Sequence, residues 1–305
     1  ACESATQLVW FITICAVVIT VLVYAGKNLI LHGVFGQIEP EVMGHADIYL
    51  MIVTMAIPFM ALYNAGAAVF RAMGNSKVSM EISILMNVIN VAGNAILIYG
   101  FHRGTEGVAI PTLVSRIVAA VIIIALLCDE KQTLHIKRTW RYRVDWSHVK
   151  KILSVGVPNG LENSMFQLGK ILVLSLVSTF GTYAIAANAV GNSIALFQIL
   201  PGMAINLAVT TVIARCVGAG DYEQVKYYNK KLMIITHIGT AVMVVGVFAV
   251  LPLILKAYHL SDAAAEATRQ IIYFHGISSI LIWPLSFTLP STFRACGDAR
   301  ACMII

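Results

Sequence analysis

Long runs of apolar residues follow one another along the chain, and shorter stretches containing charged residues, glycine or proline separate them. Most of these runs reach the roughly 17–25 residues that an α-helix needs to cross about 30 Å of hydrocarbon. They lack the alternation of apolar and polar residues that is typical of membrane β-strands. We therefore predict eight transmembrane helices, named spans A to H in chain order: Leu8–Tyr24, Ile48–Val69, Val78–Tyr99, Val108–Leu127, Ile152–Ser178, Ile185–Val217, Leu232–Leu255 and Ile271–Leu289.

The composition agrees with this pattern. Of the 305 residues, 59% are hydrophobic and 12% are charged, whereas a soluble domain has about 45–50% apolar and about 25% charged residues. A net charge of +6 does not indicate nucleic-acid binding here, because the basic residues lie in short loops between apolar runs. The fold class is therefore predicted to be an all-α membrane protein.

The distribution of basic residues predicts the orientation. If the loop between spans A and B is outside, fifteen of the 21 Lys and Arg residues fall in inside loops, four fall outside and two lie within spans. Cytoplasmic loops carry such an excess of positive charge. We predict that loops 71–77, 129–151, 215–231 and 294–300 are cytoplasmic. Residues 129–151 are interpreted as a basic linker between an N-terminal part, 1–128, and a C-terminal part, 152–305.

An internal repeat relates the two parts. Residues 70–82 and 293–305 agree at seven of thirteen positions at an offset of 223, counting Lys77 and Arg300 as a match. Both copies contain Arg-Ala-x-Gly, at Arg71 and at Arg294, so spans A and B recur as spans G and H. A repeat that preserves orientation predicts two similar halves related by an axis along the membrane normal. Spans E and F have no partner before span A, and spans C and D have none after span H. We therefore expect an internal part of a twelve-helix protein, covering helices 3 to 10 and the start of helix 11.

Several short motifs point more specifically to one family. They are Pro58 with Phe70-Arg71-Ala72-Met73-Gly74, Asn90-Val91-Ala92-Gly93-Asn94, Gly104–Arg116, Gly156-Val157-Pro158, Ala186-Ala187-Asn188 and Val217-Gly218-Ala219-Gly220-Asp221. In content and order they resemble the multidrug and toxic compound extrusion (MATE) family along the whole chain. The resemblance implies a two-lobed bundle with six helices in each lobe of the intact protein.

The same resemblance implies a function. A member of this family is a secondary active antiporter that exports cationic or amphipathic small molecules in exchange for Na⁺ or H⁺. It is not an enzyme, needs no cofactor beyond the coupling ion, and acts as a multi-pass protein of a bacterial-type inner membrane. Its partners are then the small-molecule substrate and the lipid bilayer, without nucleic acid, and we expect a monomer.

Other functions stay open at this point. A lipid-linked-oligosaccharide flippase shares the architecture but usually needs a larger cationic cavity, and Arg116 and Lys170 are the only Lys or Arg residues away from the ends of the predicted spans. An intramembrane enzyme is a second alternative, although HExxH and GxSxG motifs are absent. A membrane scaffold without transport activity is a third.

Span E, helix 7 in the family order, is the most polar. Asn159, Asn163, Gln167 and Lys170 share an arc of about 80° on a helix, and Glu162 lies about 60° to one side. Ionisable groups at this depth usually face a cavity or a partner. We interpret the stripe either as a clamp between helices or as the wall of a hydrated cavity, with Glu162 accepting a proton or cation. The family's helix 7 glutamate, where present, falls one turn deeper, at Phe166.

Span C holds a second candidate site. Many family members bind a cation through a helix 1 aspartate, an Asn-x-x-x-Asp pair on helix 5 and a helix 6 threonine. Asn90 and Thr112 match the asparagine and the threonine, and Asn94 replaces the acid. Because carboxamide and hydroxyl oxygens are suitable ligands for a hard cation, Na⁺ at Asn90, Asn94 and Thr112 is one reading. Hydrogen bonding between helices is the other.

The remaining candidates lie in the second half of the chain. His275 is the only ionisable group near the middle of helix 10, where some family members carry an acid, and it is either a packed, hydrogen-bonded residue or a proton relay. Asn188, Asn192 and Gln198 on helix 8 are further candidates for a cavity wall. Arg71 and Arg294 are expected to stabilise helix C-termini.

Overall fold

The computed structural model describes residues 2–29, 31, 40–130, 132–136 and 145–304. Within this part of the chain every regular element is a helix, which confirms the predicted fold class. The α-helices are α1 (Cys2–Ala25), α2 (Pro40–Met55), α3 (Ile57–Ala72), α4 (Ser76–Ala95), α5 (Thr105–Leu127), α6 (Trp146–Ser178), α7 (Thr182–Gly218), α8 (Tyr222–Ala257), α9 (Asp262–Leu281), α10 (Leu289–Ala295) and α11 (Ala299–Ile304). The linker residues Lys131, Lys137, Arg138, Arg141 and Arg143 lie outside the described residues, as do Ile30 and Ile305.

The number of membrane-length helices differs from the eight predicted. By length and composition, six helical segments of the described chain can cross a membrane, or seven if the bent pair α9 and α10 forms one span. The helix missing from this count is α6, which is long enough at 33 residues but carries the polar stripe from Asn159 to Lys170. The chain is thus a multi-pass membrane protein, and α6, predicted above as span E, has a polar stripe that lowers its mean hydropathy below that of the six other spans.

The helices form two compact units, Ala1–Ile152 and Leu153–Ile305, and the division falls within α6. In the first unit, α5 packs against α2, α3 and α4, while α1 packs against α3. A core of apolar side chains that includes Phe70 and Ile123 joins α1, α3, α4 and α5. The close approach of α3 and α5 depends on Gly66, because a Cβ atom there would lie 2.9 Å from Ile123.

In the second unit α7 is central. It packs against α8, α9 and α10, and apolar residues of α7, α8 and α9, including Ile194, Leu251 and Ile272, form the core. α6 is peripheral: among the described helices it has no close backbone packing partner. It reaches the rest of the unit through side chains, one of which is Phe166, packed edge-on against Phe287.

The repeated Arg-Ala-x-Gly motif forms the same cap in both copies. At the end of α3, Gly74 N–H donates to Arg71 O and Asn75 N–H donates to Phe70 O; at the end of α10 the equivalent bonds run from Gly297 and Asp298. Gly74 and Gly297 have φ angles of +84° and +91°, a conformation that glycine adopts without a steric penalty. These are Schellman motifs, and they end the helices directly after the turns that contain Arg71 and Arg294, as expected. A third such cap, with Gly220 at φ +75°, ends α7.

The helix ends depart from the hydropathy boundaries where polar residues continue a helix. α8 begins at Tyr222 rather than at Leu232, because the Asp221 carboxylate accepts a hydrogen bond from Gln224 N–H and caps its first turn. α6 begins at Trp146 rather than at Ile152. There Asp145 accepts a hydrogen bond from Ser147 N–H, and its other oxygen lies 2.7 Å from His148 Nδ1. The hydrogen bond from His148 holds the pKa of Asp145 below its usual value, so the cap stays ionised.

Candidate functional site

The predicted cation ligands of the first unit are brought together. α4 and α5 approach so closely that a Cβ atom on Gly93 would lie 2.7 Å from the Pro111 ring. This contact places Asn90 Nδ2 3.0 Å from Thr112 Oγ1. Asn94, one turn along α4, donates from Nδ2 to Asn90 Oδ1 at 3.2 Å. Asn90, Asn94 and Thr112 thus form one continuous chain of hydrogen bonds.

That chain leaves one oxygen unused. Thr112 donates its hydroxyl proton to Val108 O, and Asn90 Oδ1 accepts from Asn94. Asn94 Oδ1 is buried and lacks a hydrogen-bond partner. Most buried side-chain oxygens are paired, so an unpaired one indicates a missing partner such as a water or an ion. The unpaired amide oxygen, with the Asn90 and Thr112 oxygens nearby, provides neutral ligands of the kind a hard monovalent cation accepts.

The polar stripe of α6 does not act as a single network. Asn163 donates back to Asn159 at 2.7 Å, within its own helix. Lys170 is exposed in this chain, and its Nζ lies 5.0 Å from the centre of the Phe166 ring. Gln167 is also exposed.

Glu162 differs from the rest of the stripe, because it points into the second unit. Its Oε1 lies 2.6 Å from Nη2 of Arg294 in the last turn of α10, and the two side chains are 31% and 22% exposed. Glu162 Oε2 and Arg294 Nε are buried without hydrogen-bond partners. The expectation that Glu162 faces protein agrees with this geometry. Sequence reasoning did not predict this ion pair, because the two residues are 132 positions apart and were assigned separate roles.

Two further candidates meet between α7 and α9. Gln198 is fully buried, and its Oε1 lies 2.6 Å from Nδ1 of His275. Ser279, one turn further along α9, is within 3.5 Å of both ring nitrogens. The other two candidates of α7 are not part of this contact: Asn188 is half-buried and Asn192 is exposed.

Sequence reasoning missed several buried polar groups of the second unit. Thr292 donates to Asn229 Oδ1 at 2.8 Å, joining α10 to α8. Asn206 Oδ1, Thr240 Oγ1 and Thr288 Oγ1 are buried without partners. Thr288 closes a π-helical turn, Pro284–Thr288, between α9 and α10. The proline inside span H was a usable signal for this irregularity, because proline lacks the N–H that a helix interior needs.

Comparisons with known proteins agree on one family. The MatE family model matches residues 1–96 and 158–305. The probable multidrug resistance protein YoeA of Bacillus subtilis is 26% identical over 85% of this chain. The probable multidrug resistance protein NorM of Thermotoga maritima is 23% identical over 99% of it. The chain spans 57% and 66% of the lengths of these two relatives.

Solved structures share the fold. A MATE protein crystallised with MaD5 superimposes with a TM-score of 0.89 at 19% identity, covering 100% of this chain and 68% of that one. An outward-facing multidrug resistance MATE family transporter of the MOP superfamily gives 0.90 at 18% identity, covering 99% of this chain and 67% of that one.

Proposed function

Because the chain belongs to the MatE family of multidrug and toxic compound extrusion proteins, we propose that its protein is a secondary active efflux transporter. It exports cationic or amphipathic small molecules in exchange for Na⁺ or H⁺. The observation that carries this proposal is the family match across both repeated units, together with relatives named as multidrug resistance proteins. The relatives are bacterial, and the apolar helices make the chain a multi-pass inner-membrane protein.

The polar groups of the two units support an ion-coupled mechanism. A coupling ion shifts a conformational equilibrium only by its differential affinity for the two conformations. The Asn90–Asn94–Thr112 chain offers oxygen ligands for Na⁺ in the first unit, and Glu162 and His275 offer protonatable groups in the second. Each of these three groups lies where two helices meet and is held there by a hydrogen bond or an ion pair.

Transport by the full-length protein in proteoliposomes tests the proposal. Vesicles loaded with a fluorescent cationic dye are given an opposing Na⁺ gradient, an opposing H⁺ gradient or no gradient. We expect export that depends on one of the two gradients. Export of lipid-linked oligosaccharide without dye transport would favour the flippase instead, and the absence of any gradient-dependent movement of dye would contradict the proposed function.

If Na⁺ is the coupling ion, Thr112→Val and Asn94→Ala should raise the Na⁺ concentration for half-maximal dye export about tenfold, because each removes an oxygen from the Asn90–Asn94–Thr112 chain. Asn87→Ala is the matched control. Asn87 also lies on α4 but donates to Ser83 O of its own helix, so its loss should leave the Na⁺ dependence unchanged. Equal effects of all three substitutions would contradict a sodium site here.

A further inference from the structure

Gln198 of α7 and His275 of α9 meet at a point where the direction of their hydrogen bond can be determined. Gln198 Oε1 lies 2.6 Å from His275 Nδ1, and Gln198 Nε2 lies 3.4 Å from the carbonyl oxygen of Ile272. The Gln198 side chain is 0% exposed, so water does not compete for either end of its amide.

The backbone carbonyl fixes the orientation of the Gln198 amide. A carbonyl oxygen only accepts, so the amide end that faces Ile272 has to be the NH₂ group. If the amide were flipped, two acceptor oxygens would face each other and the NH₂ group would face the ring. The orientation with Oε1 toward His275 is therefore the favoured one, and because Oε1 also only accepts, His275 Nδ1 has to carry a hydrogen.

With Nδ1–H engaged, Nε2 is the basic nitrogen of the neutral ring. A proton added at Nε2 leaves the bond to Gln198 intact and makes it charge-assisted, and such bonds are roughly twice as strong as neutral ones. The Ser279 hydroxyl lies 3.3 Å from Nδ1 and 3.5 Å from Nε2, so it is not aligned with either ring nitrogen alone. Protonation of His275 thus strengthens a contact between α7 and α9 without breaking one.

We propose that His275 is a proton-binding residue of the second unit, that Gln198 is its positioning residue, and that proton binding tightens the α7–α9 contact. The proposal rests on the proposed function in one respect, since the bound proton serves as a coupling ion. It names a site for that ion in which a carboxylate takes no part.

The charged groups of the neighbouring helices lie far from His275 along the helix axes. On α7 the nearest titratable residues to Gln198 are Tyr183 and Arg215, at least fifteen residues and therefore about 22 Å away along the helix. Cys216 is further still. No titratable side chain of α7 is therefore close enough to His275 to bind the proton in its place.

α8 faces His275 with apolar side chains. Val244 and Phe248 pack against Gly276, and the nearest titratable residues of α8, His237 and Lys256, are at least seven residues from them, about 10 Å along the helix. The other titratable side chains of α8 lie closer to its start, between Tyr222 and Lys231, and the π-helical turn has none.

α9 itself brings no unpaired charge to this level. Arg269 is paired with Glu266 at 2.7 Å, and Tyr273 packs edge-on against Phe248. Asp262 lies in the first turn of the helix. The hydrogen bond to Gln198 therefore stabilises the imidazolium, and no charged group of α9 faces it as a counter-charge.

His275→Asn separates proton binding from packing. The Asn amide nitrogen reproduces the Nδ1–H donor toward Gln198, but the side chain does not titrate. We expect the full-length variant to unfold at the wild-type temperature. We also expect its dye export to lose the part of the pH dependence that comes from protonation of His275. His237→Asn is the control: His237 is another half-buried histidine of this unit, but its Nδ1 lies 2.8 Å from Met233 O of its own helix, and its loss should leave the profile unchanged.

The Gln198→Glu variant should shift the pH dependence of dye export, whereas His275→Asn should remove it. A carboxylate next to His275 favours the charged ring, so the pH at which dye export is half-maximal should move upward by about one unit or more. A wild-type pH profile in His275→Asn, or an unshifted midpoint in Gln198→Glu, overturns the proposal.

Nitrogen NMR of the ¹⁵N-histidine-labelled full-length protein reads the site independently of transport. The resonances missing from His275→Asn identify the ring. A neutral Nδ1–H tautomer that takes up a proton between about pH 5 and 9 supports the proposal. An Nε2–H tautomer, or no titration in that interval, overturns it. Absence of dye export by a protein whose His275 titrates in this way would refute the transport function and leave the proton site standing.

Discussion

We expect the Arg294→Gln variant of the full-length protein to unfold at a clearly lower temperature than the wild type. The substitution leaves the Glu162 carboxylate, 31% exposed, without its cationic partner. Removing one member of a buried ion pair costs about 3–5 kcal/mol, and the partial exposure of this pair reduces the expected loss to about 2 kcal/mol. Thermal unfolding in detergent, followed by circular dichroism, measures the change.

The double variant Glu162→Gln, Arg294→Gln should recover part of that loss, because it removes the unpaired charge along with its partner. The repeat supplies the control. Arg71 occupies the equivalent position at the end of α3, but its Nη1 lies 3.3 Å from the Ser79 hydroxyl instead of from a carboxylate, so Arg71→Gln should cost less. Equal losses for Arg71→Gln and Arg294→Gln, or a double variant less stable than Arg294→Gln, would contradict this account of the ion pair.

The same variants distinguish two roles for Glu162 in transport. We predict that Glu162→Gln impairs dye export more than Asn94→Ala does, because Glu162 can change its charge and Asn94 cannot. If Glu162 only anchors α6 to α10, the double variant should regain transport together with stability. If Glu162 binds the coupling ion, stability returns and transport does not. Wild-type export by Glu162→Gln at every pH, at matched expression, would exclude the coupling role.

We expect Gly202→Ala to be the most disruptive single-methyl substitution in the second unit. A Cβ atom on Gly202 would lie 2.1 Å from the Trp283 ring, which is 9% exposed and stacks on Phe287 with ring centres 5.2 Å apart. Trp283 cannot move without displacing Phe287, which in turn packs against Phe166 of α6. Overpacking of this kind costs about 1–3 kcal/mol.

Gly246→Ala is the matched control for this prediction. Gly246 lies in the interior of α8 and an added Cβ atom would have no neighbour within 4 Å, so alanine should be neutral or slightly stabilising there. Thermal unfolding compares the two variants, and the part of the tryptophan emission that is lost in Trp283→Phe reports whether the Trp283 ring has moved. A Gly202→Ala variant with wild-type stability and tryptophan emission would show that the α7–Trp283 contact is looser than the structure indicates.

The helices and their caps could be predicted from the sequence because both depend on local pattern. Apolar runs of membrane length located α1, α5 and α7 to within a few residues at most ends, and the repeated Arg-Ala-x-Gly motif identified two Schellman caps. Hydropathy failed at α8, whose first turns are polar. It also failed to show that α6, with its polar stripe, has no close backbone packing partner among the described helices.

The pairing of polar side chains could not be predicted in the same way. Helical periodicity assigned Gln198 and His275 to candidate positions on separate helices, but they lie 77 residues apart, and periodicity contains no information about which helices are neighbours. Glu162 and Arg294 illustrate the same limit. Asn90 and Thr112, which are hydrogen-bonded in the structure, were grouped because the family resemblance supplied a pairing that their spacing does not.

The three glycine caps also limit how the protein can be altered. After Gly220, the next residue, Asp221, already caps α8, so the turn from α7 to α8 has no spare residue. A residue inserted between Gly220 and Asp221 would separate the left-handed cap of α7 from the N-cap of α8. Epitope tags, fluorescent reporters and protease sites placed in this turn, or after Gly74 and Gly297, should therefore disrupt these caps, whereas a thiol label on the exposed Cys128 or Cys296 adds no residue to the chain.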